Sequence, residues 1–174
     1  MKRARLGLRW TLVCLACLAV GAFGQAGSGQ AASAAKSATP TTAELEKHFF
    51  AIVREGDVLQ FLSYVPDDGV NLGHDAKPTP RATIEDQLTH RTGLYCKLFD
   101  SACLPKAAGV QPCSYRELLT QSEKVRTAST ATTRNHVRQA ILVAEVQNQK
   151  CGGAALIDFI FNEHAGGWKL FSIP

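Results

Sequence analysis

The chain has 174 residues, 45% of them apolar and 20% charged, with a formal net charge of +4. That length suits one domain, and the apolar share excludes a wholly disordered chain. Four of the 19 basic residues (Lys2, Arg3, Arg5 and Arg9) fall in the first nine positions, leaving 15 basic against 15 acidic residues beyond them. A neutral remainder of interspersed signs has no electrostatic footprint for a polyanion, so nucleic acid is not an expected partner.

Residues 1–24 read as a signal peptide. Lys2 to Arg9 is a positive leader, Thr11 to Ala22 an apolar core of about a dozen residues, and Ala22-Phe23-Gly24 sets small residues at −3 and −1 of a cleavage site after Gly24. An uncleaved anchor would need roughly 20 apolar residues, more than this run supplies. A lipid anchor on Cys17 would put Cys14 at its −3 position and halve the apolar run. With no consecutive Arg pair in the leader, the expected route is secretion of the unfolded chain. Residues 25–40 are Ala, Ser, Gly and Gln with one Lys over most of their length and read as a flexible tether. A single domain is expected over 41–174, periplasmic or secreted, with no membrane span after cleavage.

Within that domain Thr41-Thr42-Ala43-Glu44 is a capping box. Leu45, Phe49, Ile52 and Val53 follow at helical spacing, and Gly56 is placed to end the helix. Asp57 caps a short second helix through Val58, Leu59, Phe61 and Leu62. Pro66-Asp67-Asp68-Gly69 is a turn, and Val70 to Gly73 a brief strand. Thr79-Pro80 opens a third helix carrying Ile84, Leu88 and Tyr95 on one face and ending near Gly93. Residues 96–113 read as a cysteine-tied loop. Ser114-Tyr115-Arg116-Glu117 is a second capping box, and Thr127 to Thr133 a mobile polar connector. Three strands close the chain: His136 to Val146, Ala154 to Phe161 and Trp168 to Ile173, turned at Gly152-Gly153 and at Ala165-Gly166-Gly167. Helices first and strands last predict an α+β fold, with the N-terminal helices packed on an antiparallel sheet that ends in a three-stranded meander.

Cys96, Cys103, Cys113 and Cys151 remain after processing. An even set in a small exported domain reads as two disulfides. No pair has zinc-knuckle spacing and no His stands beside them in a ligand pattern, so neither a metal nor any other cofactor is expected. Loop entropy does not choose among the three connectivities. Geometry favours Cys96–Cys103 with Cys113–Cys151, because Gly93 and Pro105 bracket the first pair and break the helix that would hold them about 10 Å apart.

The helix ending in Glu55-Gly56-Asp57, the Val70-Asn71-Leu72 strand and the meander closing on Gly167-Trp168-Lys169-Leu170 resemble the nuclear transport factor and ketosteroid-isomerase-like superfamily. The resemblance lies in element order over about two-thirds of the mature chain, and the Cys96 to Cys113 stretch departs from it. It implies a cone, with helices packed into a curved sheet around a pocket.

The candidate pocket residues are His74, Asp75, His90 and Asp158. His74-Asp75 sets an imidazole beside a carboxylate, which suits an oriented base, though adjacent loop residues seldom face one another. His90 lies on the third helix and His136 opens the long strand, both expected to face solvent. Asp158 interrupts Leu156 to Phe161, a strand otherwise apolar on both faces. Pointed inward it would line the cone's pocket; pointed outward it would meet solvent, Arg138 or Lys169. Elbow, phosphate-loop and zinc-helix motifs are all missing. The expected function is an exported, disulfide-bonded, non-catalytic module binding a small molecule or an envelope protein. The alternative is a small pocket enzyme of the ketosteroid-isomerase-like type performing proton-transfer or hydrolytic chemistry.

Overall fold

The computed structural model describes residues 39–73, 77–106 and 111–174. The expected signal peptide (residues 1–24), the expected tether up to residue 38 and the His74-Asp75 pair lie outside the described residues.

Helix α1 (Thr42–Glu55) starts at its predicted capping box: the Thr41 hydroxyl accepts from the Glu44 amide, and the Glu44 carboxylate accepts from the Thr41 amide at 2.8 Å. Those bonds favour the ionised form and hold the Glu44 carboxyl below its usual range. Gly56 ends α1 in left-handed backbone, and Asp57 caps α2 (Val58–Tyr64) by accepting from the Gln60 amide at 3.0 Å. The turn after α2 leads to β1 (Asn71–Leu72). At Gly69, with φ +92°, a Cβ would stand 2.2 Å from the Thr79 carbonyl oxygen. The bridge between Val70 and Thr79 therefore requires glycine there.

Several expectations change beyond this point. Helix α3 (Arg81–Thr89) stops at His90, short of Gly93. Gly93 opens a separate helix α4 (Leu94–Leu98) at φ +49°, a backbone that favours glycine, and the Gln87 side chain accepts from the Leu94 amide at 2.8 Å. Tyr95 and Cys96 thus belong to α4, and Cys103 ends a 3₁₀ turn over Ser101–Cys103. Part of the expected loop is helical. Helix α5 (Tyr115–Gln121) begins at the second capping box, as predicted.

The polar stretch read as a connector is strand β2 (Lys124–Arg134), followed by β3 (Val137–Asn148), β4 (Gly153–His164) and β5 (Gly167–Ile173). The meander therefore has four strands. β2 lacks the apolar alternation that marks a half-buried strand because most of it is exposed, yet its threonines suit a pleated surface. Asn135 and His136, at φ +51° and +64°, form the two-residue turn joining β2 to β3, so His136 sits in a hairpin tip rather than opening a strand. The sheet order is β1-β5-β4-β3-β2; β1 runs parallel to β5, and every other pair is antiparallel. One short parallel edge makes the sheet mixed rather than purely antiparallel.

One face of the sheet carries the core. Leu142, Ala144 and Val146 of β3, Ile157, Phe159 and Phe161 of β4, and Trp168 and Leu170 of β5 are buried, and α1 and α5 lay aromatic rings against Phe159. A β-bulge sets Leu170 opposite Phe161 and Ser172 opposite Ile160, leaving Phe171 unpaired. Such an extra residue reverses the facing of the strand beyond it. Ile173 therefore returns to the core while Phe171 stays 40% exposed. Both expected disulfides are formed: Cys96–Cys103 joins α4 to the 3₁₀ turn, and Cys113–Cys151 ties the entry to α5 to the β3–β4 connection. Cα separations are 5.5 and 5.7 Å, within the usual disulfide range.

Candidate functional site

The space between helices and sheet, where the resemblance implies a pocket, holds aromatic side chains. Phe49 of α1 lies 4.9 Å from both Phe159 and Phe161, edge-on to each, with Phe61 at 5.8 Å and Tyr64 at 5.6 Å. Phe50 approaches Phe159 from the same helix, and Phe99 closes on Phe61. These phenylalanines are between 0 and 3% exposed. Their edge-to-face geometry is the favourable one for aromatic quadrupoles.

Two of the perturbed titratable groups, Lys97 and Tyr115, meet at the end of β5. The Tyr115 hydroxyl donates to the Pro174 carbonyl oxygen at 2.9 Å, and the Lys97 ammonium donates to the same oxygen. Lys97 Nζ also stands 5.7 Å from the centre of the Tyr115 ring. Burial pushes the Lys97 amine below its usual value. Burial first, and the Asp158 charge second, push the Tyr115 phenol well above its own. Perturbed pairs of this kind mark catalytic sites and structural clamps alike. Here both donors are occupied by a backbone carbonyl, which fastens the end of β5 to α4 and α5.

Asp158 alternates with the buried Ile157 and Phe159 and so turns to the outer face of the sheet, opposite Val143 on β3; it is half-buried and near enough for its charge to act on the Tyr115 phenol. Neither cation considered for it is its partner: Arg138 pairs with Glu163 at 3.2 Å, and Lys169 donates to the Ser63 carbonyl at 2.7 Å. His90 is at the exposed end of α3, with Nδ1 3.0 Å from the Asp86 carboxylate. No hydrogen bond or ion pair joins His90 to Asp158. Among the described residues no group of three His, Cys, Asp or Glu side chains gathers as a metal site.

Two of the open clefts among the described residues bear on the question. One, of about 500 Å³, runs between α1, α4 and α5 and is lined by Arg54, Tyr95, Arg116 and Thr120. Its carboxylates serve local structure: Asp100 caps the 3₁₀ turn, and Glu117 closes the α5 capping box and accepts from Ser101. The other, of about 380 Å³, lies on the outer sheet face between Val137, Gln139, Asn162 and Phe171.

No family model and no curated protein match the chain. Two solved structures are similar in shape. One is titled "Rd1NTF2_05 with long sheet", at 12% identity and TM-score 0.39 over 76% of this chain and 94% of that one. The other is a variant of the same design bearing five substitutions, at 12% identity and TM-score 0.42 over 75% and 92%.

Lys97 and Tyr115 escaped the sequence reading. Each stands in an ordinary helical context, and nothing local sets either against a residue 77 or 59 positions away. The outer-face side chains were legible only in part, through the strand apolar on both faces around Asp158.

Proposed function

We propose that this is an exported, disulfide-stapled binding module, periplasmic or secreted, that works through its surface rather than through an internal chamber and performs no catalysis. The observation that carries the reading is the aromatic filling between α1 and the sheet, where Phe49, Phe159 and Phe161 occupy the space a ligand would need. A pocket protein leaves roughly 300 Å³ or more for its ligand. Export is supported by the two disulfides, which persist in oxidising compartments. Among the described residues no helix is long and apolar enough to cross a membrane. The order of helices, short first strand and closing meander supports distant membership of the nuclear transport factor and ketosteroid-isomerase-like superfamily, with its pocket filled. The partner class this favours is an envelope protein rather than a small molecule.

Native mass spectrometry of the protein recovered from its own envelope fraction tests the reading. The expected species starts at Gln25, lacks the four thiol hydrogens and carries no small molecule. A chain retaining Met1 to Gly24 overturns the processing, and a small molecule held at one per chain overturns the surface reading.

A further inference from the structure

We propose that the free edge of β2 docks an extended segment of a partner protein, which adds to the sheet as a further strand and carries an acidic residue near each end. The proposal rests on the surface-binding reading above and names the partner's chemistry. β2 ends the sheet order, so among the described residues no strand pairs with its far side. The opposite edge is blunt, because β1 is two residues long. β2 runs 11 residues, about 37 Å at roughly 3.4 Å per residue. Its register against β3 is unbroken from Lys124 against Gln147 to Arg134 against Val137. The two-residue turn at Asn135-His136 closes on Arg134 and Val137 as a hydrogen-bonded pair. Every second pair back along the strand does the same, so the even-numbered residues give their amides to β3. The amides of Val125, Thr127, Ser129, Ala131 and Thr133 therefore face the free edge.

Exposed edges are normally guarded by proline, by bulges, by shortness or by a charge in mid-strand. Between Thr127 and Thr133 the sequence is Thr-Ala-Ser-Thr-Ala-Thr-Thr, with none of these guards. All of that run except Ser129 is exposed. Its threonines suit a pleated surface, and it is too polar to act as a hydrophobic patch, so what it offers a partner is backbone. Strand addition draws affinity from main-chain hydrogen bonds and specificity from the flanking side chains. Charge selects the occupant here. Lys124 faces Gln147 and Arg134 faces Val137, while Arg126 stands opposite Glu145. None of the three cations forms an ion pair with another described residue. A second copy fits badly: two β2 strands paired antiparallel about Ser129 would set Lys124 against Arg134 at both ends, and like charges directly opposite repel. Residues 25–38 fit no better, since they hold Lys36 and no acidic residue. A segment with Asp or Glu facing Lys124 and Arg134 satisfies both ends.

Amide hydrogen exchange of the oxidised mature protein, read residue by residue, tests this. The probe is a peptide as long as β2, with glutamate at each end and alternating threonine and valine between. It is N-methylated along one edge, so that only the other edge pairs. It is expected to slow exchange at the outward β2 amides by ~10-fold or more and to leave the amides facing β3 unchanged. The same peptide methylated along both edges, or ending in lysine, is expected to give no protection. Ala131→Pro removes one outward N–H without touching the β3 ladder. It is expected to weaken the peptide by ~5-fold or more, as loss of a hydrogen bond does. Lys124→Glu with Arg134→Glu is expected to transfer the preference to the lysine-ended peptide, which a misfolded chain would not do. No protection at about 1 mM glutamate peptide overturns the proposal. So does binding that full methylation, the end charges or Ala131→Pro leaves unchanged. Outward amides already protected in the free chain overturn it too, because the chain itself or a second copy would then cover the edge. Failure on these counts without a retained small molecule leaves the surface-binding reading standing, whereas a retained small molecule removes that reading whatever β2 binds.

Discussion

Replacing Phe49 by alanine asks directly whether the interior is solid. The side chain is fully buried and meets five other aromatic rings between 4.9 and 6.4 Å away. Losing its burial costs about 2–3 kcal/mol. A void on the order of 80 Å³, if the neighbours do not collapse into it, adds about 2 kcal/mol at roughly 24 cal/mol per Å³. The expected loss is therefore about 4–5 kcal/mol. Phe49→Leu, which refills most of the space, is expected to lose only about 1–1.5 kcal/mol. Urea unfolding of the oxidised mature protein measures both. Trp168 is the reporter: it is the one tryptophan beyond residue 24, it is 4% exposed, and its indole N–H donates to the Pro40 carbonyl at 2.7 Å. A loss below about 2 kcal/mol for Phe49→Ala, with an unchanged denaturant slope, would refute the reasoning. The site would then already be loosely filled, and the case against an internal ligand would weaken with it.

The two disulfides close loops of separation 7 and 38, which on chain entropy contribute about 2.4 and 3.9 kcal/mol. Cys113→Ala with Cys151→Ala should therefore cost more in urea than Cys96→Ala with Cys103→Ala, and the reverse ranking would discredit the entropic account. Tyr115 has its folded pKa raised above 10.0, so the native state holds that proton where the unfolded state releases it. Its stabilisation is present below pH 10 and is lost as pH climbs through the folded value. Tyr115→Phe should accordingly lose less melting temperature between pH 9 and 10.5 than the wild type does; equal losses would show that the phenol does not govern the alkaline limb. Lys97 acts in the opposite sense, because its depressed pKa makes stability rise with pH between its folded value and 10.5. Asp158→Asn, on the outer face without an ion pair, should change stability by less than about 0.5 kcal/mol. A loss above 2 kcal/mol by urea unfolding would mean that the carboxylate is held by the fold.

What the sequence disclosed and what it hid divide by the range of the interaction involved. Both capping boxes, the Gly56 stop and the Asp57 cap are settled within four residues, and each stands where its own side chains put it. The disulfide pairing was readable because helix breakers at Gly93 and Pro105 act locally on Cys96 and Cys103. β2 was missed for the opposite reason: its register is imposed by β3, from Lys124 against Gln147 to Arg134 against Val137, and an exposed edge needs no apolar code of its own. The parallel pairing of Asn71 with Ser172 spans a hundred residues and leaves no local mark. Asp158 shows where such reading stops. Its neighbours announced a strand apolar on both faces, but alternation alone does not say which face the helices cover. That was decided by Phe49, whose ring seats against Phe159 and Phe161 and so sends every even-numbered residue from Leu156 to Ile160 outward. The carboxylate that would have lined a pocket borders an open apolar sheet instead. The proposed surface reading therefore turns on the open faces of the fold, because the space between α1 and the sheet is taken by Phe49, Phe159 and Phe161.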